Sequence, residues 1–382
     1  MLNINTSLQQ FQTPCYVYDT QLLARTLDAI KAETVEHDNY HVHYAIKANA
    51  HPEILRRIAA AGLGADCVSG GEIRAALEAG FPASSIVFAG VGKADWEINL
   101  ALEAGIGMFN VESIEELDVL NELATIKHTR ARVSFRINPD VNAHTHDHIT
   151  TGRAEDKFGI AKEYTVEVIR KAQGMPGIDF QGLHFHIGSQ LIEMDDFKAL
   201  CLRVNELQEW LDSEHIHVPN INVGGGLGID YEEPDLHAIP DFHAYISTFT
   251  KYLQLRDGQH LHFEPGRAVV AQIGSLLTRV LFVKHATEKQ FVIVDAGMTE
   301  LIRPALYGAY HKIENLTAAD RAEQVVYDVV GPICESSDTF VRDYTMPETR
   351  RGDILAIRSA GAYGETMAST YNCRPLPPAY LI

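Results

Sequence analysis

Four short stretches of this chain place reactive side chains where apolar runs break off. In "HYAIKANAHPEIL" (residues 43 to 55) Lys47 closes an apolar run that turns polar. Alternation along a strand sets Ala45 and Lys47 on one side, with Tyr44 and Ile46 on the other. An amine at such a position can act as a nucleophile toward a carbonyl. The competing reading is a structural pair between Lys47 and Asp66. "GGGLG" (residues 224 to 228) and "EPGR" (residues 264 to 267) offer backbone N–H groups, many with no Cβ in the way, and the guanidinium of Arg267. Together these suit an anion such as phosphate, although tight turns also use glycine. "HFH" puts His184 and His186 on one strand face, directly ahead of "IGSQ" with Ser189. Inward histidines are often satisfied core residues, so position has to decide. Glu264 closes a further apolar run.

The elements that must carry these groups are legible between residues 41 and 264. Short β-rich runs alternate there with longer amphipathic segments: "HVHYAI", "GADCV", "SIVFAG", "IGMFNV", "ARVSFRI", "DFQGLHFHI", "NINV" and "HLHFE". Two of the intervening segments open on S-x-x-E, Ser69 with Glu72 and Ser113 with Glu116, the pattern of a helix capping box. Eight β-α units of this length predict an α/β fold, a TIM (β/α)8 barrel rather than an open sheet. Beyond residue 265 the texture changes. "AVVAQIGSLLTRVLFVKH", "QFVIVDAG", "AEQVVYDVVGP" and "GDILAIRSAGAYG" predict an antiparallel β domain, which the early "PCYVYD" strand is expected to join. The expected domains are 1–32 (first strand and connecting helix), 33–264 (barrel) and 265–382 (C-terminal β domain).

In a barrel, reactive groups come from the C-terminal ends of strands, and phosphate binds at the loops after the seventh and eighth. "GGGLG" and "EPGR" follow the seventh and eighth runs, and Lys47 follows the first. An amine and a phosphate anchor in one barrel mouth are what pyridoxal phosphate requires. His186 is placed to stack on such a ring, with Ser189 beside the phosphate. Glu264, as the last residue of the eighth strand, would keep the pyridine nitrogen protonated and the ring a strong electron sink.

"YAIKAN", "HFHIGSQ", "GGGLG", "FEPGR", "CESSD" and "GAYG", in this order, resemble the barrel-type pyridoxal-phosphate decarboxylases, the fold type III family. The resemblance runs from "TPCYVYD" to "YNCRPLPP". The strings at residues 136 to 160 and 295 to 311 are most similar to those of its diaminopimelate-decarboxylating members. It implies that Lys47 carries the cofactor covalently, that His186 stacks on the ring, and that Ser189, Gly226 and the backbone of Gly266 and Arg267 hold the phosphate. It further implies that Glu264 pairs with the ring nitrogen, that Tyr363 borders both cofactor and substrate, and that Cys334, the candidate proton donor, and Glu335 are contributed across a homodimer. Glu72 matches a position near the lysine, but capping already explains it. One departure is the stretch "FAGVGKAD" (residues 88 to 95), where relatives carry a different loop, so no role follows for Gly92 or Lys93.

Diaminopimelate is an amino acid at both ends, so the protein must bind a second carboxylate and a second ammonium. Arg267 and Arg303 are the candidates for the carboxylate, since a guanidinium matches it with forked hydrogen bonds. By resemblance Glu335 takes the ammonium, and Tyr307 and Tyr363 supply hydroxyls. The expected reaction is loss of CO2 from meso-diaminopimelate to give L-lysine, the last step of lysine biosynthesis. The rival readings are a carboxynorspermidine or other amino-acid decarboxylase of this fold, and a non-catalytic cofactor-binding homologue.

Composition narrows the partners. A net charge of -19, from 32 basic and 51 acidic residues with no basic run, would repel a nucleic-acid backbone. No apolar stretch is long enough for a membrane span, and "MLNINTSLQQ" leads into no secretory apolar run, so a cytoplasmic enzyme is expected. The cysteines (Cys15, Cys67, Cys201, Cys334, Cys373) are scattered and odd in number. They fit reduced thiols rather than a disulfide framework or a metal site.

Overall fold

A computed structural model describes residues 8–139, 157–318 and 320–382. The chain divides into two compact units. The first gathers Met1–Thr26, Ile229–Pro240 and Arg267–Ile382, and the second Leu27–Gly228 with Asp241–Gly266.

Strand β1 (Cys15–Tyr18) and helix α1 (Thr20–Thr34) come first. Then follow β2 (Tyr40–Ala45), α2 (Pro52–Ala60), β3 (Gly64–Cys67), α3 (Gly70–Ala79), β4 (Ile86–Phe88), α4 (Asp95–Ala104), β5 (Met108–Val111) and α5 (Ile114–Ile126). The alternation continues through β6 (Ala131–Asn138), β7 (Ile160–Ala161), α6 (Thr165–Gln173), β8 (Ile178–His184), α7 (Met194–Ser213), β9 (Asn220–Asn222), α8 (Phe242–Tyr252) and β10 (His260–Phe263). The strand order β5-β4-β3-β2-β10-β9-β8-β6 closes on itself through a β5–β6 pairing. Every pairing in it is parallel. This is the closed eight-stranded barrel that the eight runs predict, with β7 added only at the end of β6. Strands β3, β4 and β5 are buried along their whole length, which is why they read as continuous rather than alternating apolar runs.

The two S-x-x-E boxes form in a modified way. Ser69 and Ser113 accept from the N–H groups of Glu72 (3.2 Å) and Glu116 (3.1 Å), as a cap should. The glutamate side chains, however, reach past the cap residue to the N–H groups of Val68 (2.7 Å) and Glu112 (2.8 Å). Each carboxylate thereby ties a helix start to the end of the preceding strand.

The first unit is built on an eight-stranded sheet. After a single turn of helix, α9 (Arg267–Val270), come β11 (Gly274–His285), β12 (Gln290–Val294), α10 (Arg303–Tyr307), β13 (Ile313–Asn315), β14 (Gln324–Val330), β15 (Thr339–Pro347), β16 (Ile354–Ile357) and β17 (Ala379–Leu381). The order is β13-β16-β11-β12-β14-β15, antiparallel except for β12–β14. Strand β1 joins it, antiparallel to β11 with Cys15 opposite Leu277, and β17 lies parallel to β1. Phe11, Cys15, Val17, Leu277 and Ala356 make a buried cluster at this seam. The "AVVA" stretch, expected as strand, is the α9 turn; a short apolar run without period-2 alternation does not distinguish the two. Strand β15 escapes sequence reading because its middle carries exposed polar residues, with Asp343 at φ 50°.

The inside of the barrel is unusual in carrying paired histidines on adjacent strands. His41 Nε2 lies 2.9 Å from His260 Nδ1, and His43 Nε2 lies 2.9 Å from His262 Nδ1. Burial, with His260 and His43 adding to it, lowers His41 from 6.5 to about 4. The folded chain therefore refuses a proton that the unfolded chain binds, so this histidine costs stability as pH falls from about 6.5 towards 4 and costs nothing above it. We predict that the melting temperature falls over that interval, and that His41→Gln flattens the fall; an unchanged slope in the variant contradicts the assignment.

Candidate active site

The pairing of β2 ends at Ala45, whose N–H donates to the Pro265 carbonyl at 3.2 Å. Ile46–Ala48 then form a turn of 3-10 helix, so Lys47 is not the next position of an alternating strand. The turn is closed by Tyr44, whose hydroxyl donates to the Asn49 carbonyl (2.9 Å), and by Asn49 Oδ1, which accepts from His51 N–H (2.9 Å). Lys47 Nζ stands 3.7 Å from Asp66 Oδ2, the lysine half exposed and the aspartate buried. Both readings of Lys47 meet here: the pair with Asp66 exists, and the amine remains partly accessible. Burial pushes the Asp66 carboxyl up to about 8, with the Glu264 charge adding and the Lys47 charge opposing. Its Oδ1 is buried without a hydrogen-bond partner among the described residues. Glu72 is also raised, chiefly by burial.

Glu264 is the first residue past β10 rather than its last. Its N–H still continues the ladder, donating to the Gly224 carbonyl at 2.7 Å. Three donors from three other strands converge on its buried carboxylate. Asn110 Nδ2 (3.1 Å) and Asn222 Nδ2 (2.6 Å) reach Oε1, and His184 Nε2 reaches Oε2 at 2.9 Å. Burial alone would raise this carboxyl, but His184, through its charge and hydrogen bond, and Asn222 hold it well below the ordinary carboxylate range. Glu264 is thus ionised, and Oε2 keeps a lone pair for a further donor.

The glycine loop is zipped to the loop after β8. Phe185 N–H donates to the Asn222 carbonyl (2.8 Å), Leu191 N–H to the Gly226 carbonyl (2.9 Å), and Gly228 N–H to the Leu191 carbonyl (2.8 Å). Ser189 is carried in this stretch. Gly225 N–H donates to His186 Nδ1 at 3.3 Å, which leaves the ring proton of a neutral His186 on Nε2. Burial, helped by the charges of Arg136 and Lys47, keeps that ring neutral. A Cβ on Gly225 would stand 2.2 Å from the Glu264 carbonyl, and Gly226 sits at φ +111°. Only glycine fits both positions.

The loop at residues 88 to 95, to which sequence assigns nothing, is structural. Lys93 Nζ is buried and donates to the Gly90 carbonyl (2.8 Å), the Asn110 carbonyl (2.8 Å) and Glu116 Oε1 (2.6 Å). All three ammonium protons are used, and one of them anchors the backbone of Asn110, whose side chain serves Glu264. Arg136 and Glu112 form a second buried ion pair at 3.1 Å, with Glu112 also accepting from Gly90 and Gly159 N–H.

In the first unit, Arg267 and Arg303 are both buried, each only 6% exposed. Arg267 Nη1 donates to the Tyr231 hydroxyl at 2.6 Å, and its guanidinium lies 5.1 Å from the centre of the Tyr363 ring. Arg303 Nη1 is 2.8 Å from His311 Nε2. Tyr307 ends α10 and is near enough to Arg267 to favour its charge. Tyr363 holds φ 56°, imposed by the packing of "GAYG": Gly361 N–H bonds the Ala271 carbonyl, and a Cβ on Gly361 would lie 2.0 Å from the Val270 carbonyl. Cys334 and Glu335 are exposed, and Glu335 Oε1 accepts from the Tyr371 hydroxyl at 2.7 Å. Gly266 is buried directly ahead of Arg267. Sequence reading missed His184 as a partner of Glu264, together with Asn110, Asn222, Tyr231 and His311. The available signal for the two asparagines was the lone polar residue of "MFNV" and the pair, Asn220 and Asn222, in "NINV". The stretch 140–156, part of the string at 136–160, lies outside the described residues, and so does the question of whether that loop closes over substrate.

The barrel residues fit pyridoxal phosphate. An accessible amine meets its aldehyde, an ionised buried carboxylate meets a ring N–H, and a glycine cradle that any Cβ would fill meets its phosphate. Among the described residues no cluster could hold a metal ion, and no helix is long and apolar enough to cross a membrane. Residues 22–271 match the family model described as pyridoxal-dependent decarboxylase, pyridoxal binding domain, and the chain belongs to that family, with pyridoxal phosphate as its cofactor. It is 61% identical over 369 residues to the diaminopimelate decarboxylase of Bacteroides thetaiotaomicron, covering 97% of this chain and 95% of that protein. Among solved structures it is similar to diaminopimelate decarboxylase from Helicobacter pylori complexed with L-lysine, with a TM-score of 0.92, 39% identity, and coverage of 98% of this chain and 92% of that one. It is likewise similar to the enzyme of M. jannaschii in co-complex with L-lysine, with a TM-score of 0.88, 37% identity and coverage of 98% and 88%.

Lys47→Ala is expected to lose turnover to background together with the visible absorbance of covalently held cofactor; an active, still coloured variant contradicts the placement of Lys47. Glu264→Gln is expected to keep cofactor attachment while slowing turnover by about 10²-fold or more, since it removes a preorganised charge from a dry site.

Proposed function

We propose that this chain decarboxylates meso-2,6-diaminopimelate at its D-configured centre, releasing CO2 and L-lysine, as the last step of lysine biosynthesis. The observation that carries this reading is Arg303, a buried guanidinium with no carboxylate partner among the described residues. A buried cation of this kind is costly unless a ligand supplies the anion. Diaminopimelate supplies one at its distal end, and ornithine has none to offer. The similarity to decarboxylases whose structures hold L-lysine supports the same substrate class.

In this reading Lys47 Nζ holds the cofactor covalently between turnovers, and Asp66 exchanges a proton with it. His186 lies against the ring. Ser189, Gly226 and the backbone of Gly266 and Arg267 take the phosphate, and Tyr363 borders both cofactor and substrate. Glu264 holds the proton on the ring nitrogen. Bound, pyridoxal phosphate supplies the electron sink that takes up the charge left behind when the carboxylate departs as CO2. Arg267 and Arg303 grip the distal carboxylate, Glu335 the distal ammonium, and Tyr307 and Tyr363 add hydroxyls. Cys334 returns a proton to carbon.

The working form is a homodimer in which the partner's Cys334 and the partner's Glu335 complete each site. Support comes from their exposure on the single chain, where a catalytic thiol and an ammonium ligand would otherwise lie in open water. The cytoplasm is its proposed place, supported by the substrate class and by five cysteines that all stand as free thiols.

The test offers meso-diaminopimelate, ornithine, arginine and carboxynorspermidine separately to the holoenzyme, measuring CO2 and identifying the product. CO2 with L-lysine from the first alone is expected; turnover of another substrate in its place overturns the distal-carboxylate reading. Arg303→Ala is expected to raise KM for diaminopimelate tenfold to about a hundredfold, the scale of a lost charged hydrogen bond. An unchanged KM removes Arg303 from the distal pocket.

A further inference from the structure

We propose that Tyr231, in the loop that follows the glycine run, is a positioning residue for specificity: it sets Arg267 and Arg303 as a two-pronged receptor for the distal carboxylate. This rests on the function proposed above. Two buried guanidiniums repel each other, and the Arg267 charge, after burial, is among the influences that lower Arg303. Tyr231 engages both, with its hydroxyl within hydrogen-bonding reach of each guanidinium and its ring near each. Its hydroxyl accepts from Arg267 Nη1 at 2.6 Å, while Arg303 lies 5.1 Å from its ring centre, a distance at which the ring quadrupole attracts a cation. One side chain thus fixes the spacing of two like charges.

His311 completes the arrangement. Its Nδ1 faces the Arg358 carbonyl at 2.9 Å, and a carbonyl can only accept, so Nδ1 carries the proton. Nε2 is then a lone pair, and it accepts from Arg303 Nη1 at 2.8 Å. The ring also packs edge-on against Tyr231, with centres 5.2 Å apart and planes at 82°. Arg303 is therefore held by the His311 acceptor and by the hydroxyl and ring face of Tyr231, none of which neutralises it. A carboxylate in either place would have filled the receptor permanently.

The loop is fastened so that Tyr231 can do this. Asp230 Oδ1 accepts from Glu232 N–H (2.8 Å) and Glu233 N–H (2.9 Å), a local turn around Tyr231 itself. Arg358 Nη2 bonds Asp235 at 2.8 Å, Lys312 pairs with Glu233 at 3.1 Å, and Gln272 Nε2 donates to the His237 carbonyl at 2.7 Å. These bonds tie Ile229–Pro240 to the rest of the sheet unit.

Tyr231→Phe deletes the hydroxyl that serves both guanidiniums and keeps the ring face beside Arg303. On the holoenzyme, KM for diaminopimelate is expected to rise about tenfold with kcat within about twofold. Calorimetric binding of L-lysine should weaken by the same factor, while cadaverine, which lacks the carboxylate, binds as to the unsubstituted protein. Tyr231→Leu, which also removes the ring face, should weaken L-lysine further and again spare cadaverine. Equal weakening of L-lysine and cadaverine in both variants, or unchanged L-lysine binding in Tyr231→Phe, overturns the proposal. Failure of the unsubstituted holoenzyme to turn over diaminopimelate would instead overturn the function, so the two failures are distinguishable.

Discussion

The carboxylate of Glu264 is the constraint on which the barrel depends. A charge taken out of water costs several kcal/mol unless its hydrogen bonds are replaced. Here they are replaced by Asn110, Asn222 and His184, from β5, β9 and β8. Those side chains meet only if the strands hold their registers in a closed barrel, and so the charge and the fold specify each other. The same cost explains the layers around it. Lys93 spends its three donors on the Gly90 and Asn110 carbonyls and on Glu116 at a helix start. Asn222 serves twice, since its Oδ1 also accepts from Gly224 N–H and so sets the first glycine of the cradle.

Two carboxyl groups in one barrel mouth end up at opposite extremes. Glu264 has three donors and stays ionised; Asp66, with one oxygen lacking a partner and Glu264's charge nearby, is pushed up to about 8. Such divergence assigns roles, with a fixed charge at one carboxyl and an exchangeable proton at the other. The sheet unit solves the inverse problem. It buries cations, and rather than pairing Arg303 with an acid it holds it by a neutral imidazole and a phenol ring. A protein gains nothing from an unneutralised buried cation unless its ligand brings the anion.

The barrel was legible in the sequence because its strands are short β-rich runs separated by amphipathic segments, two of which open on capping signals at Ser69 and Ser113. Lys47 was legible by type, but its geometry was not. The turn that carries it is made by Tyr44 and Asn49, and alternation alone put it on a strand. Glu264 was legible as a strand-end carboxylate, whereas its donors were polar residues scattered over three distant runs, and nothing in one sequence pairs Asn110 with position 264. Tyr231 was invisible because "GIDYEEPD" reads as a polar loop. Its meaning comes from Arg267, which is 36 positions away. Strand β15 was lost for a similar reason, since its exposed polar middle hides the period.

The central claim is that the distal carboxylate, more than the amine or the methylene chain, is what this protein recognises. The most direct measurement is the affinity of the holoenzyme for L-lysine against cadaverine, which differ in that one carboxylate. The account predicts that L-lysine binds at least about tenfold more tightly, the value of one charged hydrogen bond or more, and that the preference falls away in Arg303→Ala. Equal affinities for the two ligands would contradict it.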